Sequence, residues 1–366
     1  MKKTPPLDTT RILLIRTSSL GDIVQALPVL RALRRHAPRA RIAWLVEEAF
    51  LPLLEGHPDL DLVIPVRLRA WRRHPFAIRT LRELGAFFGQ LDRFAAEVVL
   101  DLMGNHKAGI LAALTLADRR VGVAKEFRRE PSSALWISET VQPRTHHSVD
   151  KMLAVLDALG LPREPADFGG RRLPTAGAGG IRPTSLADPL VLIHPGAGWD
   201  NKRYPPAKWG EVASLIQRST GSRCGIMVAP GEEDLAEQAV ATSQGAAEAI
   251  AAPDLQQLTD LLRQAHLVLG GDTGPIHLAH ALDRPVLCLM GPTDPRTCGP
   301  YGAPQVAIWR RLPCSFCHKR FPQIMPCLEE ISPTEIAERA ERVLSDRPLP
   351  AIGPVEDGDS GCLVLH

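Results

Sequence analysis

The sequence predicts an α/β protein of the doubly wound kind, with two Rossmann-like domains and a cleft between them. Three observations predict it. At 366 residues the chain is about twice the usual single-domain size. Short apolar runs of strand length alternate with amphipathic helical stretches, the pattern of parallel sheets covered by helices. That rhythm breaks over residues 162–189, where ten of 28 positions are Gly or Pro, and then restarts. The break reads as a linker between domains at 1–161 and 190–346, with a loose tail over 347–366.

In the first domain, residues 11–16 (RILLIR) form an apolar run expected to be a buried strand. A small polar loop, 17–21, and an amphipathic helix over 22–36 follow it. Strands are expected at 41–46, 62–66 and 97–101, with helices at 76–91 and 148–159. In the second domain the expected strands are 190–194, 225–229, 267–270 and 285–290. The expected helices there are 206–219, 232–242, 255–264, 275–282 and 333–345. Ligands of such sheets bind beyond the carboxyl ends of the strands.

Composition narrows the class. Hydrophobic residues at 45% and charged residues at 23% exclude a wholly disordered chain. The net charge of +2 hides an asymmetry: residues 1–160 carry 24 Lys and Arg against 17 Asp and Glu, the remainder 19 against 24. A basic first half suits an anionic partner, such as phosphate, nucleic acid or a membrane surface. No apolar run approaches the roughly 18–20 residues of a membrane-spanning helix. The apolar stretch 12–15 is too short for a signal peptide, so a cytoplasmic chain is expected. Seven cysteines, four of them between Cys298 and Cys327, do not form a secreted disulfide framework.

Several strand ends could carry chemistry. Asp22 follows the loop Arg16-Thr17-Ser18-Ser19-Leu20-Gly21, where a carboxylate serves either as an N-cap or as a base kept ionised by the helix N-terminus. The loop lacks both phosphate-binding glycine fingerprints. After strand 190–194 comes Pro195-Gly196-Ala197-Gly198-Trp199-Asp200-Asn201-Lys202-Arg203. Its glycines would let backbone N–H groups approach an anion, and Lys202 or Arg203 would add charge; the alternative is a Gly-rich turn with a solvated basic pair. Gly271-Asp272-Thr273-Gly274-Pro275-Ile276-His277 again opens a strand end into a helix, which suits a pyrophosphate. Asp272 as a cap and His277 as a core histidine are the plain readings. Glu232 and Glu233 follow Gly231 at another junction, where the macrodipole alone would favour them. Arg67, Arg69, Arg72 and Arg73 surround Trp71 as a solvated face or as contacts for a phosphorylated ligand. Cys314-Ser315-Phe316-Cys317-His318 matches the haem-attachment pattern, but without a secretory signal covalent haem is not expected. Cys314, Cys317 and Cys327, with Cys298 or His318, have irregular zinc-like spacing, and reduced loop cysteines are the preferred reading.

With these motifs collected, the chain resembles glycosyltransferase family 9, the heptosyltransferases, over residues 11 to 345. Thr17-Ser18-Ser19-Leu20-Gly21-Asp22 resembles the family's N-terminal loop. Gly271-Asp272-Thr273-Gly274 with His277, and Gly291-Pro292-Thr293-Asp294-Pro295, resemble its nucleotide-side motifs. Trp44-Leu45-Val46-Glu47-Glu48 and the arginines around Trp71 resemble the type I members more than type II. The Gly-rich loop 196–204 and the cysteines 314–327 depart from type I. The resemblance implies a GT-B fold, with the acceptor on the N-terminal domain and a nucleotide sugar on the C-terminal one. It implies inverting transfer from ADP-L-glycero-D-manno-heptose to a Kdo-containing lipid A acceptor, without metal or cofactor. The partners it implies are that donor, that acceptor and a peripheral contact with the cytoplasmic face of the inner membrane, and no nucleic acid. Asp22 would be the general base. Lys202, Glu232, Asp272, Thr273, Gly274 and His277 would bind the donor. Arg72, Arg73, Lys107, Arg129 and His147 would bind the acceptor. Alternatives are an epimerase or hydrolase of the same shape, or another sugar.

Overall fold

The computed structural model describes residues 7–175 and 189–350. The chain divides into two compact units at Pro174 and Thr175, inside the Gly/Pro-rich stretch. Residues 176–188 of the expected linker and 351–366 of the expected tail lie outside the described residues.

The first unit is built on a six-stranded parallel sheet of β1 (Arg11–Ile15), β2 (Arg41–Glu47), β3 (Leu62–Val66), β4 (Val98–Asp101), β5 (Arg119–Val123) and β6 (Glu139–Val141). Their spatial order is β3-β2-β1-β4-β5-β6. Ile12, Leu13, Leu14 and Ile15 are all buried, because a central parallel strand is covered on both faces and so reads as an unbroken apolar run. Helix Ile78–Phe94 packs Phe87, Leu91 and Phe94 on one sheet face, in the same cluster as Trp71, Leu111 and Val99.

The second unit repeats the plan with β7 (Val191–His194), β8 (Cys224–Val228), β9 (Ala247–Ala251), β10 (Leu267–Gly271), β11 (Val286–Leu289) and β12 (Ala307–Ile308). The order β12-β11-β10-β7-β8-β9 is the same winding, read from the opposite edge. Helix Pro206–Thr220 and helix Pro333–Leu344 cover one face of it, burying Trp209, Val212, Ile216, Ile336 and Ala340.

Most elements fall within two or three residues of their expected bounds. Several were not expected: helix Leu68–Arg73, helix His106–Leu114, and strands β5, β6, β9 and β12. β5 begins with two arginines and β9 reads AEAIA, so neither has the β-branched, alternating pattern that marks a strand by sequence. Both become strands by pairing with a neighbour already in place. The expected helix 148–159 is one helical turn and a half, Ser148–Leu153, continued as a 3₁₀ segment Ala154–Leu159.

Candidate active site

In the first unit the winding reverses between β1 and β4, where Ile15 lies opposite Asp101, and this is where doubly wound sheets bind ligands. The loop leaving β1 is held in place from β2. The buried Trp44 indole N–H donates to the Arg16 carbonyl at 3.1 Å, and the Glu47 N–H donates to the Thr17 carbonyl at 3.0 Å. Helix Leu20–His36 starts beyond that loop and carries Asp22 in its first turn. The Ser19 N–H and hydroxyl donate to Asp22 Oδ2 at 2.9 and 2.8 Å, and the Arg16 guanidinium pairs with Oδ1. Arg16 also donates to the Leu102 carbonyl beyond β4, so one side chain bridges the ends of both central strands. Burial pushes the Asp22 pKa up, but Arg16 and the Ser19 bonds outweigh it and hold the carboxyl below its ordinary value. The Asp22 side chain keeps 37% of its exposure, so a ligand can reach it.

The expected acceptor-side residues separate into groups. Lys107, in the first turn of helix His106–Leu114, is half-buried. Its pKa is lowered by burial and by Arg69 and Arg72, against the pull of Glu47. That brings Lys107, Arg72 and Glu47 into one electrostatic neighbourhood. The backbone of Arg129 runs beside Gly104, and Glu130 N–H donates to the Gly104 carbonyl, so the exposed Arg129 stands near the end of β4. Arg73 ends its short helix exposed to solvent. His147 is buried and caps helix Ser148–Leu153, its Nδ1 accepting from Val149 N–H at 3.1 Å.

In the second unit the reversal lies between β7 and β10. The loop after β7 brings Lys202 across to Asp272, just past β10, at 2.6 Å. The same carboxylate accepts from the Thr293 hydroxyl at 2.7 Å and from His277 Nε2–H at 2.9 Å. Burial opposes its charge, but His277 and Lys202 outweigh burial and hold the carboxyl far below the carboxylate range. Lys202 Nζ also stands 4.7 Å over the Trp199 ring, and Arg320 stands 4.5 Å from the same ring. Helix Gly274–Ala281 begins with Thr273 at its N-cap, yet that side chain makes no capping bond, and its hydroxyl is buried without a hydrogen-bond partner. The first N–H groups of this helix are therefore left for a ligand.

Two glycines are required by close approach. A Cβ on Gly271 would lie 2.7 Å from the Lys202 carbonyl, so only glycine lets the β7 loop cross β10. A Cβ on Gly196 would lie 1.8 Å from Glu232 Oε2. Glu232 sits over that glycine at the end of β8. Burial raises its pKa, and Arg203 and the Ala197 N–H pull it back.

Sequence reasoning did not name Arg16, Ser19 or Thr293 as site residues. Each lies inside a motif quoted for the resemblance or beside it, and the signal that would have found them is a buried carboxylate's need for donors. In the cysteine-containing segment, Cys314 and Cys317 lie near Cys327. Burial, then Cys314, raises the Cys327 thiol to about 12. Among the described residues the cysteines form no disulfide, and no group of three His, Cys, Asp or Glu is arranged to hold a metal ion.

Residues 84–327 match the family model for glycosyltransferase family 9 (heptosyltransferase). The chain belongs to glycosyltransferase family 9. It is 29% identical to lipopolysaccharide heptosyltransferase 1 of Pseudomonas aeruginosa over 356 residues, 91% of this chain and 98% of that one. It is 30% identical to lipopolysaccharide heptosyltransferase 1 of Escherichia coli K12 over 308 residues, 81% of this chain and 92% of that one. The solved structure of E. coli heptosyltransferase WaaC with ADP matches with a TM-score of 0.74 at 26% identity, covering 91% of this chain and all of that one. The same enzyme with ADP-2-deoxy-2-fluoro heptose matches at 0.68 and 28%, covering 82% and 93%. The fold is GT-B, as the family resemblance implied.

Proposed function

We propose that this family 9 glycosyltransferase moves heptose from ADP-L-glycero-D-manno-heptose to a Kdo-containing lipid A acceptor, with inversion and without a metal. The observation that carries the reading is the Asp272 cluster. Lys202, Thr293 and His277 are fixed around one ionised carboxylate, beside a helix whose first N–H groups are uncapped. A diphosphate leaving group needs that kind of positive, preorganised surface. Asp272, itself negative, positions Lys202 and His277; Lys202, Thr273, Gly274 and the helix N-terminus meet the phosphates, and Glu232 takes the ribose hydroxyls.

On the acceptor side Asp22 is the general base. As the acceptor oxygen attacks the anomeric carbon, its O–H becomes acidic and the proton passes to Asp22. The bond from that carbon to the ADP oxygen breaks on the opposite face, which inverts the configuration. A carboxylate held below its ordinary pKa is a modest base, but it is ionised at neutral pH, and Arg16 keeps it oriented. Arg72, Arg73, Lys107 and Arg129 receive the anionic groups of the acceptor. His147 would serve it through the start of helix Ser148–Leu153, which it caps. The acceptor is anchored in a membrane, so the chain works at the cytoplasmic face of the inner membrane by peripheral contact. Among the described residues no helix is long and apolar enough to cross a membrane.

The test is ADP release from ADP-heptose by the purified chain in EDTA, with and without Kdo₂-lipid A. Acceptor-dependent release is expected. Release without acceptor would replace this reading with a hydrolase or epimerase, and no release would move the donor to another nucleotide sugar.

A further inference from the structure

The first unit carries an apolar surface that neither its core nor its site uses. Phe76 is 90% exposed, Ile78 70% and Leu81 56%, and Phe88 is exposed on the same helix. At 100° per residue, Ile78, Leu81 and Phe88 of helix Ile78–Phe94 fall within an arc of about 80°. The core residues Phe87, Leu91 and Phe94 fall on a different side of the helix. The first three turns of the helix therefore carry two apolar stripes, only one of them covered, and the exposed Asp92 lies in line with the open stripe a turn beyond Phe88. Residues 67–82 contain six arginines and no Asp or Glu, and Arg79 and Arg82 stand exposed beside the open stripe. The acid that follows, Glu83, is engaged by Arg67, Arg79 and the Trp71 indole. Among the described residues every exposed large hydrophobic lies in the first unit, and none in the second.

We propose that Phe76 and the outer face of helix Ile78–Phe94 dock on an anionic phospholipid bilayer, with Phe76, Ile78 and Leu81 entering the interface and Arg79 and Arg82 meeting the headgroups. Exposed apolar side chains flanked by arginine are what an interfacial helix presents to acidic lipid. Basic residues near such a surface add attraction to acidic lipid. A second copy of the chain fits poorly, because a two-fold contact would set this arginine-rich segment against itself. The inference takes its purpose from the reading that the acceptor is membrane-anchored.

The experiment is co-sedimentation of the full chain with vesicles of phosphatidylcholine alone, and with phosphatidylglycerol added. Neither vesicle holds acceptor, and no nucleotide is present. The chain should partition onto the acidic vesicles, and less so as salt rises. The triple variant Phe76→Ser, Ile78→Ser, Leu81→Ser should lose partitioning by roughly tenfold or more, while its thermal shift with ADP stays native, which reports an intact fold. Arg82→Glu should weaken partitioning by roughly tenfold on its own. Native partitioning in both variants would overturn the proposal, as would failure of the native chain to bind acidic vesicles. A native dimer that the triple variant turns into monomer, with no vesicle binding, would assign the face to a second copy instead. Vesicle binding without heptose transfer sinks the functional reading alone, and transfer without vesicle binding sinks the docking face alone.

Discussion

The two units place a carboxylate and a cation at the same point of the same winding, the carboxyl end of the fourth strand, and use them differently. In the first unit Asp101 ends β4 and pairs with Arg128, and both side chains are fully buried. Asp101 also accepts from the Met103 and Gly104 N–H groups, so its oxygens are spent on the protein. In the second unit Asp272 follows β10 and pairs with Lys202, which retains 15% exposure. One pair is a closed internal brace and the other stands at the edge of the unit with a donor to spare. What distinguishes them is the loop opposite: Arg128 folds under its own segment, whereas Lys202 arrives on a loop from β7. A shared topology sets where a charge pair is useful, and the neighbouring loop decides whether it holds the fold or a ligand.

The sharpest way to break the comparison is at Asp22; the carboxylate of the second unit's first loop, Asp200, starts a short 3₁₀ turn and pairs with Arg203. Asp22→Asn should lower kcat by ~10²–10⁴-fold, with the ADP dissociation constant from calorimetry nearly unchanged. An equal loss of ADP affinity would end the division of labour between the units.

Next in size is the closed brace. Arg128→Met leaves the Asp101 charge buried and alone, which should cost about 3–5 kcal/mol in denaturant unfolding. The double variant Arg128→Met, Asp101→Leu should regain most of it. Lys202→Ala also removes a partner of a buried carboxylate, but His277 and Thr293 still donate to Asp272, so it should cost less stability than Arg128→Met and weaken ADP binding by roughly tenfold, the share of a charged hydrogen bond. If the two cation removals behaved alike, the open and closed descriptions would be wrong.

A smaller effect is expected at Gly196. The alanine Cβ meets the end of a flexible side chain, so Glu232 should swing aside and the fold survive. ADP affinity should fall severalfold, on the order of 1 kcal/mol for one displaced hydrogen-bonding carboxylate. Unchanged affinity would remove Glu232 from the nucleotide site.

A pH effect is common to both units. His57 in the first and His194 in the second are buried, and burial lowers each to about 4 from 6.5. Both are neutral when folded and take up protons more readily when unfolded. Their contribution is therefore complete above pH 6.5 and is lost as pH falls toward 4, by about 1–3 kcal/mol each. A Tm series across that window should slope downward toward acid, and His194→Gln should flatten it. A Tm independent of pH there would show that neither ring is held neutral.

Much of the fold was legible in the sequence because central parallel strands declare themselves. RILLI, VLIH and LVLGG each hold an apolar core of three or four residues, and loops containing small residues follow them. The edge strands were not legible. β5 and β9 carry charge or alanine and depend on a partner for their form. Asp22, Lys202, Asp272 and His277 were readable as polar groups at strand ends, and the structure brings the last three together. His147 looked like a ligand contact, and only the structure showed it capping a helix. Arg16, Ser19 and Thr293 stayed hidden, since a donor is recognised by the acceptor it reaches, and two of those acceptors are three to 21 positions away.

The sequence by itself determined the doubly wound α/β class, the central strands and the family, because hydrophobic period and loop composition act over a few residues at a time. Tertiary structure alone decided which charges meet. Lys202 and Asp272 are 70 positions apart, and Asp101 and Arg128 are 27 apart. It also decided which apolar stripe of helix Ile78–Phe94 is covered. Both stripes look alike in the sequence, and only the sheet beneath one of them makes it core.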